Sequence, residues 1–126
     1  GELTAADHMA KADEVYTAGD IKGADGLYSL ALGLSPDPAV AAHCHSRRAT
    51  CRLALEDSEG ALSDCMALLS LDSVPPDVDR CAGACLVKLG RLPEARERLQ
   101  RAQAAGADVT NELAHLERGE VALGEM

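Results

Sequence analysis

The sequence predicts an all-α protein made of about three antiparallel helix pairs and a C-terminal capping helix. Three observations carry that prediction. The first is composition: hydrophobic residues make up 47% of 126, enough for a core, yet Trp and Phe are absent and the aromatics are Tyr16 and Tyr28. Ala (23 residues) and Leu (18 residues) fill the core instead. Both favour helix, Ala lets helices approach closely, and the β-branched and aromatic residues that a sheet wants are scarce. The second is punctuation: turn signals recur at short intervals, and the segments between them, about 12 to 17 residues long, have helical apolar periodicity. The third is a period of about 34 residues.

The elements follow in order. Thr4 and Asp7 form a capping-box pattern that opens the first segment, and Gly19-Asp20 closes it. The second segment runs to Ser35-Pro36-Asp37-Pro38, where Asp37 caps a third helix that carries Pro38 in its first turn. Glu56-Asp57 ends the third segment, and Asp72 to Pro76 ends the fourth. The fifth stops at Gly90-Arg91; Gly19 and Gly90 read as helix terminators, where φ must be positive. Pro93 suits the first turn of the sixth, whose Leu92, Ala95, Leu99 and Ala102 make one narrow apolar stripe between charged residues. After Gly106 to Asp108, residues 108–124 read as a solvating cap helix, which a repeat stack needs at an open end.

The period shows in a triplet. Ala24, Tyr28 and Ala31 recur 37 residues later as Ala61, Cys65 and Leu68, and 34 later again as Ala95, Leu99 and Ala102. Small, large and small recur together at identical spacing, each time before a turn signal. These segments resemble tetratricopeptide repeats. Ala12, Ala24, Ala31 and Pro36 fall on the family's pattern in a first repeat of about 5–38. Ala49 and Ala61 do so in a second of about 42–75, and Gly83, Gly90, Ala95 and Ala102 in a third of about 76–107. Arg47-Arg48-Ala49-Thr50-Cys51 and Ala61-Leu62-Ser63-Asp64-Cys65 are similar to runs common in co-chaperone repeats. The chain departs from the pattern at His8, His45 and Asp79, where the family has a large residue, and at Arg52, where it has an aromatic.

The resemblance implies a right-handed superhelix forming a single domain over 1–126, with a concave groove lined by the first helix of each pair. Carried over position by position, that groove holds Met9, Asp13 and Tyr16, then Arg47, Thr50 and Leu53, then Asp77, Arg80, Cys81, Ala84 and Lys88. The carboxylate clamp with which some family members grip chaperone tails needs Lys and Asn donors. Its five positions hold Met9, Asp13, Arg47, Asp77 and Cys81, so only Arg47 is cationic and two carboxylates would repel the ligand. The implied partner is a protein or peptide bound by another mode.

Charge and cysteine usage narrow the function classes further. A net charge of −9 and a pI near 4.8 argue against bulk attraction to nucleic acid or to an acidic membrane. The five cysteines lie in apolar-periodic stretches, which reads as reduced thiols packed in the core of a cytoplasmic or nuclear protein. His43-Cys44-His45 point about 100° apart on a helix, and Cys81 with Cys85 reads as packing, so no metal and no cofactor are expected. No phosphate loop, nucleophile elbow or paired-carboxylate motif appears, so no enzyme is expected either. Arg91, Arg96, Arg98 and Arg101 crowd together with interspersed Glu94 and Glu97; helix salt bridging is the plain reading and a second docking surface the alternative. Beginning at Gly1 without an initiator Met, the chain reads as a fragment of a longer protein. The expected function is a co-chaperone or assembly-factor type adaptor. The alternative is an oligomerisation module, a homodimer formed through repeat ends.

Overall fold

A computed structural model describes residues 2–71 and 74–124. Asp72 and Ser73 of the fourth turn signal lie outside the described residues, as does Gly1. Seven helices and no strand occur among the described residues: α1 (Ala5–Thr17), α2 (Ile21–Gly33), α3 (Pro38–Ala54), α4 (Ser58–Leu69), α5 (Pro76–Lys88), α6 (Leu92–Ala104) and α7 (Thr110–Gly124). The chain divides into two compact units, Gly1–Asp64 and Cys65–Met126, with the boundary inside α4. In the first unit α1 packs on α2, α2 on α3, and α1 also meets α3. In the second α5 packs on α6, and α7 meets both.

Local chemistry sets the helix ends. Thr4 Oγ1 accepts from the Asp7 N–H at 3.1 Å while Asp7 Oδ2 accepts from the Thr4 N–H at 2.9 Å, a complete capping box. The Asp37 carboxylate takes the Val40 N–H at 3.0 Å, and Pro38 occupies the first turn behind it. Asp20 and Asp57 do the same for Gly23 and Gly60, both at 2.9 Å, and repeat at the 37-residue offset. A Cβ at Gly23 or Gly60 would meet that capping carboxylate at 2.3 or 2.2 Å, so the carboxylate as placed would have to shift for a larger residue.

Four helices end alike. Asp20, Asp57, Arg91 and Ala107 each donate their N–H to the carbonyl five residues back, a Schellman-type closure. The residue before each donor has positive φ: Gly19 (92°), Glu56 (63°), Gly90 (75°) and Gly106 (100°). Gly19 and Gly90 therefore terminate helices as their sequence positions imply. Glu56 occupies the same left-handed conformation without being glycine.

All nine members of the recurring triplets are buried, from Ala24, Tyr28 and Ala31 to Ala95, Leu99 and Ala102. The α6 stripe of Leu92, Ala95, Leu99 and Ala102 is the face that packs inward. In the first unit Ala12, Ala24, Tyr28, Ala31, Cys44 and Cys51 form one core cluster, with Met9 and Tyr16 packed half-buried against it. In the second, Gly83 lies against Leu99: an added Cβ would come within 2.5 Å of its Cδ2. That contact lets α5 and α6 approach closely without side-chain interference. No helix among the described residues is long and apolar enough to cross a membrane.

Candidate protein-binding site

On α1, Met9, Asp13 and Tyr16 are spaced i, i+4 and i+7 and so share one face. On α3, His43, Arg47 and Thr50 do the same. The two rows meet around Asp13. Its carboxylate accepts from the Tyr28 hydroxyl of α2 and from His43 Nε2, at 2.8 Å to Oδ1 and 3.0 Å to Oδ2. A carboxylate only accepts, so the proton of neutral His43 sits on Nε2. The Tyr28 and His43 rings meet edge-on, with centroids 6.3 Å apart. Arg47 lays its guanidinium over the Tyr16 ring, 4.9 Å from the centroid, a cation–π contact worth about 0.5–1 kcal/mol where exposed.

The electrostatics follow from that geometry. Partial burial pulls the Asp13 pKa upward, but the Tyr28 and His43 hydrogen bonds and the nearby Arg47 charge outweigh it and hold the group below the ordinary carboxylate value. Burial, then the Asp13 carboxylate, push the Tyr28 phenol well above its ordinary value. This face thus carries a fixed anion, a cation stacked on an aromatic ring, and partly exposed Met9 and Leu53. Thr50 spends its hydroxyl on the Ser46 carbonyl at 3.2 Å.

In the second unit, Arg80 pairs with Asp77 at 3.2 Å and reaches Glu112 of α7 at 3.9 Å. Ala84 and Lys88 line a small cavity of about 180 Å³ with Val87, Glu112 and His115. Cys81 is partly buried and lies beside other thiols. The arginine cluster is arranged in pairs: Arg91 with Glu94 at 2.7 Å, Arg96 with Glu120, Arg98 with Asp79 at 3.3 Å, and Arg101 with Glu97 at 3.2 Å. Arg96 and Arg98 so tie α6 to α7 and to α5.

One constellation is invisible to periodicity. Asp64 is the buried charged residue of the described core, with no exposed surface. Arg48 grips it with Nε at 3.0 Å to both oxygens and Nη2 at 2.7 Å, and passes Nη1 to Ser29 Oγ at 3.1 Å. His45 Nδ1 adds a contact at 2.7 Å and Arg52 Nη1 one at 3.3 Å. Arg52 Nε also lies 3.3 Å from Asp25 Oδ1; the two atoms make a charge pair without the alignment of a hydrogen bond. Arg52 and Asp79, two of the residues that break the repeat pattern, are therefore ion-pair partners, and His45, a third, meets the Asp64 carboxylate. His43 and His45 engage different carboxylates, as their separation of about 200° around the helix requires.

No protein-family model matches the chain. The Hsp70/Hsp90 co-chaperone cns1 of Schizosaccharomyces pombe (strain 972 / ATCC 24843) is 31% identical to it over 86 residues. That match covers 68% of this chain and 24% of cns1, so the chain spans about a quarter of the length of this curated relative. Over two thirds of its residues, this all-helical chain is similar to a chaperone-associated protein.

Proposed function

We propose that the chain is a tetratricopeptide-type adaptor that binds a segment of a cytoplasmic chaperone or chaperone-associated protein, with no carboxylate clamp and no catalysis. The observation that most supports this reading is the buried triplet of α2 (Ala24, Tyr28, Ala31), which recurs at the same spacing in α4 and α6 of a chain similar to an Hsp70/Hsp90 co-chaperone. In this reading the helix pairs are tetratricopeptide-like, and the partner contacts Tyr16 and Arg47 in the first unit, and Arg80 and Lys88 are its candidate contacts in the second. Asp13 is already held ionised by its own neighbours, so a negative charge stands where a clamp would need a donor. A basic or polar group of the partner suits Asp13, and an acidic or aromatic one suits Arg47.

Calorimetry with intact Hsp70 and Hsp90, and separately with peptides of their acidic C-terminal tails, tests the reading. Intact chaperone should bind, deletion of its tail should leave the affinity unchanged, and Arg47→Glu with Lys88→Glu should weaken it about tenfold or more. Binding of the tail peptide alone, or indifference to both charge reversals, refutes it. A second reading, association of two chains through a repeat end, is favoured by α7, which leaves Val121 60% and Leu123 56% exposed.

A further inference from the structure

Cys81 and Cys85 sit one helical turn apart on α5 and so project from the same face. The fold brings a third thiol to them, Cys65 from α4, and the three sulfurs all lie within 4.8 Å of one another. Cys65 and Cys85 are buried, whereas Cys81 is only partly so. No His, Asp or Glu joins this group among the described residues. The other two cysteines, Cys44 and Cys51, belong to the core of the first unit.

From this juxtaposition we infer that Cys65, Cys81 and Cys85 form a three-sulfur site for a soft monovalent cation, copper(I). Donor type decides the class: soft thiolates select copper(I), zinc or iron–sulfur clusters over hard cations. Donor number decides within it. Structural zinc closes four ligands, and a three-sulfur set leaves it one short. A d10 monovalent ion is satisfied by three sulfurs in a plane. Size agrees: with metal–sulfur bonds of about 2.3 Å, the length thiolates make to zinc, trigonal geometry sets sulfurs about 4 Å apart. The three sulfurs, all within 4.8 Å of one another, already lie within about an ångström of that spacing.

A free thiol is protonated at neutral pH. Loading therefore breaks S–H bonds as Cu–S bonds form, and each sulfur that becomes a thiolate releases one proton to solvent. The metal keeps its oxidation state throughout. The partial exposure of Cys81 is the way in.

The test is an anaerobic titration of the full chain with copper(I) against a chromophoric copper(I) chelator. One equivalent should be withheld from the chelator, with a thiolate-to-copper charge-transfer band, and its affinity should rise with pH. Cys81→Ala, at the least buried of the three positions, should lower the affinity at least a hundredfold while helicity by circular dichroism is unchanged. Cys44→Ala should keep the full equivalent. X-ray absorption of the loaded wild-type chain should show three sulfur neighbours and no nitrogen or oxygen, a readout that does not depend on any variant folding. Failure to hold copper(I) against the chelator, an affinity indifferent to Cys81→Ala, or tight zinc binding in place of copper(I) would overturn the assignment.

Discussion

Asp64 has no contact with solvent, and Arg48, His45 and Arg52 surround its carboxylate. Removing the carboxylate would strand two guanidiniums in a poorly hydrated space, with side-chain exposures of 15% and 21%. A buried pair broken on one side costs about 3–5 kcal/mol, and the partial hydration left to the arginines puts Asp64→Ala near 3 kcal/mol. Urea denaturation reads this as a lower midpoint at unchanged slope. Asp13 behaves differently, being nearly two-fifths exposed. Its native pKa lies below the unfolded value, so its contribution is present above about pH 4 and is lost as the pH falls through the lowered native value. Thermal melts from pH 5 to pH 2.5 should fall more steeply for the wild type than for Asp13→Asn. Equal slopes would show that Tyr28 and His43 do not bind the charged form preferentially. Arg48 and Asp64 both lie in runs that resemble co-chaperone repeats, yet nothing in the sequence pairs them. They are 16 residues apart, and only the turn after α3 brings them face to face.

At the scale of the element, the helix ends were the most legible part of the chain, because capping is local chemistry. Thr4, Asp37, Gly19 and Gly90 do what their residue types dictate. Glu56 is the exception, holding φ at 63° in a closure that uses glycine at the three equivalent helix ends. A left-handed non-glycine residue costs about 1–2 kcal/mol, and part of that is returned as chain entropy when glycine replaces it. Glu56→Gly should therefore stabilise the chain by about 0.5–1 kcal/mol, measured by chemical denaturation. Gly83 predicts the opposite sign. Its missing Cβ is the space in which Leu99 sits, so Gly83→Ala should destabilise by about 1–3 kcal/mol despite the better helix propensity of alanine. A stabilising outcome would mean that Leu99 can change rotamer without loss.

For the whole molecule, net charge misleads about local surface. The chain carries −9, and its densest cation cluster is drawn into pairs with Glu94, Glu97, Asp79 and Glu120. Surface pairs of this kind add little stability. Their effect is to leave the exposed face of α6 nearly neutral. The adaptor reading expects sedimentation of a single 13.1 kDa chain across micromolar concentrations. A mass of twice that, independent of concentration and reduced by Leu123→Asp, would favour association through α7 instead.

Composition, local signals and period were enough to determine that this chain is helical, where α1, α3, α5 and α6 stop, and that the recurring triplets face inward. Those features depend on residues within about one turn of each other, or on a repeat that can be counted. The tertiary structure alone decided what the odd residues do. Of the residues that break the repeat pattern, Arg52 and Asp79 meet opposite charges from other helices, and His45 meets the Asp64 carboxylate. Asp13 becomes an internal acceptor because Tyr28 and His43 arrive from two other helices. Cys65 joins Cys81 and Cys85 across a turn whose path no spacing rule encodes. Contacts between helices depend on rotation and approach as well as on order, and one sequence read along its length records only the order.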